Sequence, residues 1–265
     1  MGGIIIVITL IIVSCMLYST NKEMIPLVVV IIGFGIVGFV DDFKKLILKD
    51  TEGLKPTYKI LGLLAISVIF SLYLIRYGIG TETLIPGIKV MIKLPTFLFI
   101  PFTIFVMLAT TNAVNLTDGI DGLASSISMI AIASLSVIAI KNEMPEIATL
   151  GFTISGACLG FLIFNLHPAK IFMGDTGSLL LGGAIVIMAL YLKMPLIIIL
   201  IAIIPMIETI SVILQVMHFK RTGNRIFKMT PLHHHFELSG WGEGKIVSIF
   251  SVITLIFCVI AILLV

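Results

Sequence analysis

Nine apolar stretches of 15 to 22 residues, separated by short polar breaks, constrain this chain more than any other feature of its sequence. They run approximately Ile4–Tyr18, Ile25–Val40, Ile60–Ile75, Leu94–Ala113, Leu123–Ile140, Ile147–Phe164, Ser178–Leu192, Leu196–Met217 and Ile246–Val265. A helix needs about 20 apolar residues to cross about 30 Å of hydrocarbon. The expected fold is therefore all-α: a polytopic membrane protein of about nine transmembrane helices, forming a single integral membrane domain over residues 1–265. Hydrophobic residues make up 59% of the chain and charged residues 12%, with a mean hydropathy of +1.22. A water-soluble fold of this length has no interior large enough for that much apolar surface. No internal repeat, low-complexity tract or soluble domain is evident.

Cys15, Cys158 and Cys258 lie inside apolar runs, where cysteine acts as a small hydrophobe; neither a disulfide framework nor a zinc site is expected. A net charge of +3 is too slight to imply nucleic acid. No cleavable signal is expected, because charged residues and another span follow the first run. Orientation follows from the loops. Asp41–Lys59, Val114–Gly122, Asn165–Gly177 and His218–Lys245 hold eleven of the seventeen basic residues. Asn21–Glu23, Arg76–Lys93, Lys141–Glu146 and Lys193–Pro195 hold the other six. The first set is expected to be cytoplasmic, which puts the N-terminus inside and the C-terminus outside.

The acids and histidines concentrate in that first set. Asp41 and Asp42 end the second span; alone they read as a polar stop screened by Lys44 and Lys45, although adjacent carboxylates at a bilayer edge are costly unless solvated, protonated or paired. Asn112-Ala113-Val114-Asn115-Leu116-Thr117-Asp118-Gly119-Ile120-Asp121-Gly122 is harder to read as a turn alone. Asp118 and Asp121 share a face if the turn is helical, the glycines permit close backbone approach, and the hard oxygens suit Mg²⁺. A helix cap accounts for one Asp and one Gly, not for two of each with two asparagines. In Asn165-Leu166-His167-Pro168-Ala169-Lys170-Ile171-Phe172-Met173-Gly174-Asp175-Thr176-Gly177-Ser178, the last five residues precede a span, so their amides are placed to face an anionic phosphate. Phe172 is a candidate base-stacking ring, or an interfacial anchor. His233, His234 and His235 are consecutive and therefore poorly arranged for one metal; phosphate contact suits them better. Within the eighth run, Pro205 breaks the helix before Glu208 and Gln215, which share a helical face.

Together Asp41-Asp42, the NAVNLTDGIDGLA segment, FNLHPAKIFMGDTGS and PLHHHFELSGWGE resemble the polyprenyl-phosphate N-acetylhexosamine-1-phosphate transferase superfamily. The PLHHHFELSGW stretch is similar to its phospho-N-acetylmuramoyl-pentapeptide-transferase branch and unlike the branch that uses UDP-GlcNAc. The resemblance runs along essentially the whole chain. It implies transfer of phospho-MurNAc-pentapeptide from UDP-MurNAc-pentapeptide to undecaprenyl phosphate at the cytoplasmic face of the bacterial plasma membrane, with membrane lipid around it and a second copy as a candidate homodimer partner. It implies Mg²⁺ on Asp175, with Asp41 and Asp42 beside it, one of them deprotonating the lipid phosphate or supporting the metal. Asn112, Asn115, Asp118 and Asp121 would shape the nucleotide and diphosphate site. Phe172 and Gly174 would meet the uracil, Lys59 would neutralise phosphate, and Asn165, Ser178 and Gln215 complete the implied binding set. His233, with His234 and His235, would line the sugar-phosphate side.

Family members have ten spans with both termini outside, and a lysine ahead of the second span. This chain begins at Met1-Gly2-Gly3, where that second span would start, so nine spans without the first helix and its lysine are expected. The rival readings are a sister transferase using UDP-GlcNAc and a nucleotide, sugar or ion transporter, which would hold its polar groups near the midplane.

Overall fold

The computed structural model describes residues 1–17, 22–49, 53–77 and 80–265. Its helices are α1 (Gly3–Met16), α2 (Met24–Leu46), α3 (Pro56–Tyr77), α4 (Thr96–Thr117), α5 (Leu123–Lys141), α6 (Pro145–Asn165) and α7 (Gly174–Tyr191), then α8 (Ile198–Ile201), α9 (Ile203–Thr222), α10 (Leu232–Glu237) and α11 (Glu243–Leu264). Among the described residues eight helices are long and apolar enough to cross a membrane, and α1 is a shorter apolar helix. The protein is an all-α polytopic membrane protein. Ile69, Phe105, Ile163 and Leu263 are exposed on the outside of the bundle, where hydrocarbon and not water is the solvent. Cys158 and Cys258 are buried, whereas Cys15 is exposed.

The centre of the bundle is α7, in which every residue from Thr176 to Leu190 is buried. It packs against α1, α2, α4 and α5. Lipid tails are as apolar as leucine, so membrane helices associate through close packing at small residues. Gly182 meets the α4 backbone at Thr111, where an added Cβ would lie 2.7 Å from the Thr111 Cα. Gly183 lies against the Phe34 ring, and Gly38 of α2 against the Asp175 carbonyl. One helical turn beyond Gly38, α2 carries Asp42 to the N-terminus of α7.

Four details of the span reading change. First, α2 continues to Leu46, so Asp41 and Asp42 lie inside the helix and do not end it. Their charges are met by partners described below, which removes the reason to stop the helix at the first acid. Second, the run Leu196–Met217 is not one helix: a 3-10 turn (Pro195–Ile197) leads into α8, and the chain breaks at Ala202 before α9. Pro205 acts one turn upstream of itself, because its ring excludes the carbonyl four residues earlier, on Ile201; within α9 it sits in the first turn, where no N–H is needed. Third, the Arg76–Lys93 connection contains a hairpin of β1 (Glu82–Ile85) and β2 (Val90–Lys93), antiparallel with Glu82 opposite Lys93. It is tied to the far end of the bundle by Leu84 N–H to the Lys193 carbonyl at 2.7 Å and by Lys193 Nζ to Glu82 Oε2 at 2.7 Å. Fourth, Glu208 of the eighth run does not stand alone in its helix but meets the last loop. It lies beside His233, and His233 in turn lies against Gly119 in the turn after α4. The expected end of the first span at Tyr18 and the loop start at Asn21 lie outside the described residues, as do residues 50–52 and 78–79 of the longer connections.

The C-terminal ends of α2, α4 and α6 and the N-terminal ends of α3, α5, α7 and α11 meet on one face of the bundle, joined by the hydrogen bonds that build the site.

Candidate active site

Four helix ends build the central cluster. Lys59, in the first turn of α3, donates from Nζ to Asp175 Oδ2 at 3.0 Å and to Asn115 Oδ1 at 3.1 Å. Asn115, in the last turn of α4, donates from Nδ2 to Asp175 Oδ1 at 2.8 Å and to Ser178 Oγ at 2.8 Å. Lys45 Nζ lies 3.5 Å from Asp175 Oδ2 and pairs with Asp41, four residues earlier on the same face of α2. Asp41 also accepts the Leu54 N–H at 2.8 Å. The carboxylates of Asp41, Asp42 and Asp175 each offer an oxygen, and these atoms lie within 4.8 Å of one another. Three hard oxygens so close repel each other, and Lys45 and Lys59 offset part of that charge; the donor types are those that would suit a Mg²⁺-sized ion.

Asp42 does something the sequence did not disclose. Its oxygens accept the backbone N–H groups of Asp175 at 3.1 Å and Thr176 at 3.0 Å, and the Thr176 hydroxyl at 2.6 Å. It therefore caps α7 from another helix, and an anion at a helix N-terminus is favoured by the dipole as well as by the N–H groups. Two of the five amides expected to face a phosphate are thus engaged by the protein's own carboxylate. Gly174 adopts φ +75°, and a Cβ there would lie 2.6 Å from Asp42 Oδ2, so both the turn and the close carboxylate require glycine.

Asp118 and Asp121 do not share a helical face, because α4 ends at Thr117 and the next residues form a turn. Asp118 faces the central cluster. Burial, with the nearby charges of Asp175 and Asp42, pushes its carboxyl up to about 7. Asp121 turns the other way. It accepts the Ala169 N–H at 2.9 Å and lies 3.2 Å from His167 Nδ1, while its own N–H donates to Glu243 Oε2 at 3.0 Å. Asn165 braces the same loop, accepting from Ser125 Oγ at 2.7 Å and donating to the Ile171 carbonyl at 3.0 Å. Phe172, at the end of this loop, is 68% exposed.

The three histidines point in three directions, as successive residues of α10 must. His233 is fully buried; its backbone N–H and its Nδ1 both lie 3.2 Å from Glu208 Oε1, and its Nε2 faces Gly119. His234 Nδ1 is 2.6 Å from Glu237 Oε2. His235 Nδ1 accepts the Lys228 N–H at 3.1 Å. Gln215 closes the return loop instead of meeting the cluster, accepting from Ile226 and Phe227 N–H at 2.9 and 3.1 Å. Asn112 bonds to the Leu108 carbonyl of its own helix.

The structure thus joins Asp41, Asp42, Asp175, Lys59, Asn115, Gly174 and Ser178 in one network, with Asp118 facing it. It leaves Asn112 and Gln215 in other contacts. Thr176, His167 and Glu243 were given no role from the sequence, and Lys45 was read only as screening Asp41 and Asp42. Lys45 alone had a legible signal, its spacing of four from Asp41 on a helix.

A helical membrane bundle with lysines and carboxylates gathered where seven helix ends meet has the groups a phosphoglycosyl transferase needs, and the profile of glycosyl transferase family 4 matches residues 24–193, from α2 through α7. Relatives narrow the assignment. A phospho-N-acetylmuramoyl-pentapeptide-transferase of Clostridium perfringens is 50% identical over 262 residues, 98% of this chain and 80% of the relative. Those of Halalkalibacterium halodurans and Acetivibrio thermocellus are 44% and 43% identical, covering 100% and 98% of this chain and 82% and 79% of the relatives. The chain belongs to the phospho-N-acetylmuramoyl-pentapeptide-transferase family.

Proposed function

We propose that the chain transfers phospho-MurNAc-pentapeptide from UDP-MurNAc-pentapeptide to undecaprenyl phosphate, releasing UMP, as a step of peptidoglycan synthesis at the cytoplasmic face of the bacterial plasma membrane. The observation that carries this reading is the Asp175 carboxylate held between Lys59 and Asn115, within 4.8 Å of Asp41 and Asp42 oxygens. In the proposed reaction an oxygen of the lipid phosphate attacks the β-phosphorus of the UDP-sugar. The bond from that phosphorus to the bridging oxygen breaks, and UMP leaves with the electron pair. Two anions must meet, so cationic groups have to offset their repulsion and the charge on the departing UMP. Lys59 and Lys45 are the cations at this point. Mg²⁺, held by Asp175 with Asp41 and Asp42, would add Lewis-acid stabilisation of phosphoryl oxygens.

The two adjacent aspartates separate in role. Asp42 makes three hydrogen bonds to α7, so it positions Asp175. Asp41 pairs with Lys45, whose side chain is 43% exposed, and is not committed to capping α7, which leaves Asp41 as the carboxylate suited to take a proton from the lipid phosphate. An acceptor with a long hydrocarbon tail reaches this face through the bilayer, while a soluble nucleotide reaches it from water. A transporter would be expected to hold its ionisable groups near the midplane; here the buried Glu208 meets the same helix-end turn as the aspartates, through His233.

UMP release by the purified protein in detergent tests the reading, with UDP-MurNAc-pentapeptide and undecaprenyl phosphate, with and without Mg²⁺. Mg²⁺-dependent UMP with a matching lipid product is the expected result. Turnover with UDP-GlcNAc in place of UDP-MurNAc-pentapeptide would overturn the substrate assignment.

A further inference from the structure

Beyond Ser211, α9 parts from the bundle. From residue 212 to its end only Gln215 is buried, and Val216, Met217 and Phe219 are exposed. Gln215 fastens the returning chain to the helix by three hydrogen bonds, two accepted from Ile226 and Phe227 and one donated to the Phe227 carbonyl at 3.1 Å. Between helix and returning loop a cavity of about 370 Å³ remains, walled by Gln215, Phe219, Lys220, Arg225, Met229 and Thr230.

The charge here is one-sided. From Val216 to Pro231 the chain carries Lys220, Arg221, Arg225 and Lys228 and no acidic residue. Among the described residues none of the four forms an ion pair with a carboxylate; the side chains of Arg225 and Lys228 donate to the carbonyls of Lys228 and Leu238. The apolar neighbours Phe219, Ile226 and Met229 are about half exposed. In water those side chains would be exposed at a cost, and in hydrocarbon the cations would be. The headgroup layer is the one environment that suits both.

We propose that this cavity binds the phosphate headgroup of an anionic phospholipid of the surrounding bilayer, as a resident lipid and not as a substrate. The ammonium of Lys220 and the guanidinium of Arg225 supply the charge for a phosphodiester. Phe219 and Met229 supply an apolar wall along which the acyl chains leave. The bound headgroup braces the loop that leads from α9 into His233, so the site's histidine arm is tied to the lipid composition of its leaflet.

Native mass spectrometry of the purified chain tests this with phosphatidylglycerol and phosphatidylethanolamine of identical acyl chains. At about fivefold per cation, the wild type is expected to hold the anionic lipid about 25-fold more tightly. The double variant Lys220→Gln/Arg225→Gln is expected to lose most of that preference. The charge-conserving swap Lys220→Arg/Arg225→Lys and the distant pair Lys89→Gln/Lys93→Gln are expected to keep it. Equal retention of the two lipids by the wild type, or an unchanged preference in Lys220→Gln/Arg225→Gln, overturns the proposal. Displacement of phosphatidylglycerol by excess glycerol 3-phosphate also overturns it, since that would mark a site for free phosphate.

Discussion

Asp175 sits where one side chain answers to three donors, Lys59, Asn115 and the nearby Lys45. Asp175→Asn keeps the shape and removes the charge, so turnover is expected to fall at least about a hundredfold with the thermal midpoint in detergent nearly unchanged; near-normal UMP release would refute the assignment. Asp118 makes a different prediction. The folded chain holds its proton to about pH 7, whereas a free Asp releases it near 3.8. Between those values unfolding releases a proton, so this residue makes stability fall as pH rises. Without divalent metal, Asp118→Asn is therefore expected to flatten the decline of the thermal midpoint between about pH 4 and 7; parallel curves for the two proteins would show that Asp118 does not titrate there. At this scale residue types were legible but partners were not. Asp41 and Asp42 are neighbours in sequence yet about 100° apart around a helix, so one meets Lys45 and the other caps α7. Asn112 and Asn115 read alike, and only Asn115 is near enough to the end of α4 to reach Asp175.

Between elements the site depends on how closely α2 approaches α7. At Gly38 an added Cβ would strike the backbone of Asp175, which cannot yield as a side chain can. Gly38→Ala is expected to push the helices apart, costing about 1–3 kcal/mol and displacing the Asp42 cap. Gly160→Ala on α6, where nothing lies within 4 Å of the added Cβ, is the control. Unfolding in detergent should separate them, and equal stability of the two variants would mean that α2 and α7 are not in tight contact. The order of the long apolar helices was legible because apolar run length reports directly on crossing a bilayer, whereas α8 and α10 were not read as separate helices. The break at Ala202 was legible only as an effect of Pro205, since a proline disturbs the preceding turn and the sequence does not mark which residue yields. The β1–β2 hairpin was missed because its exposed strand is apolar at Val90, Met91 and Ile92 and shows no alternation. The glycine contacts have no signature in one sequence, since a packed glycine and an idle one look the same.

At the level of the whole molecule, polarity divides the bundle. The aspartates, the histidines and Lys170 belong to one face, and the hairpin with Lys89 to the other. If the site faces the cytoplasm, Lys89→Cys in a Cys15→Ala background should react with an impermeant maleimide on intact cells, and Lys170→Cys only after lysis. The reverse pattern would invert the orientation. The network also sets a clock for the making of the protein. Asp42 and its α7 partner Asp175 are 133 residues apart, and ribosomes add about 5–20 residues per second. For roughly 7 to 27 s α2 must sit in the nascent bundle with Asp42 short of its α7 partners, while Asp41 already has Lys45 and the Leu54 N–H within reach. Until α7 arrives the cluster lacks Asp175, so a ribosome stalled before that point leaves a chain without the centre of the site.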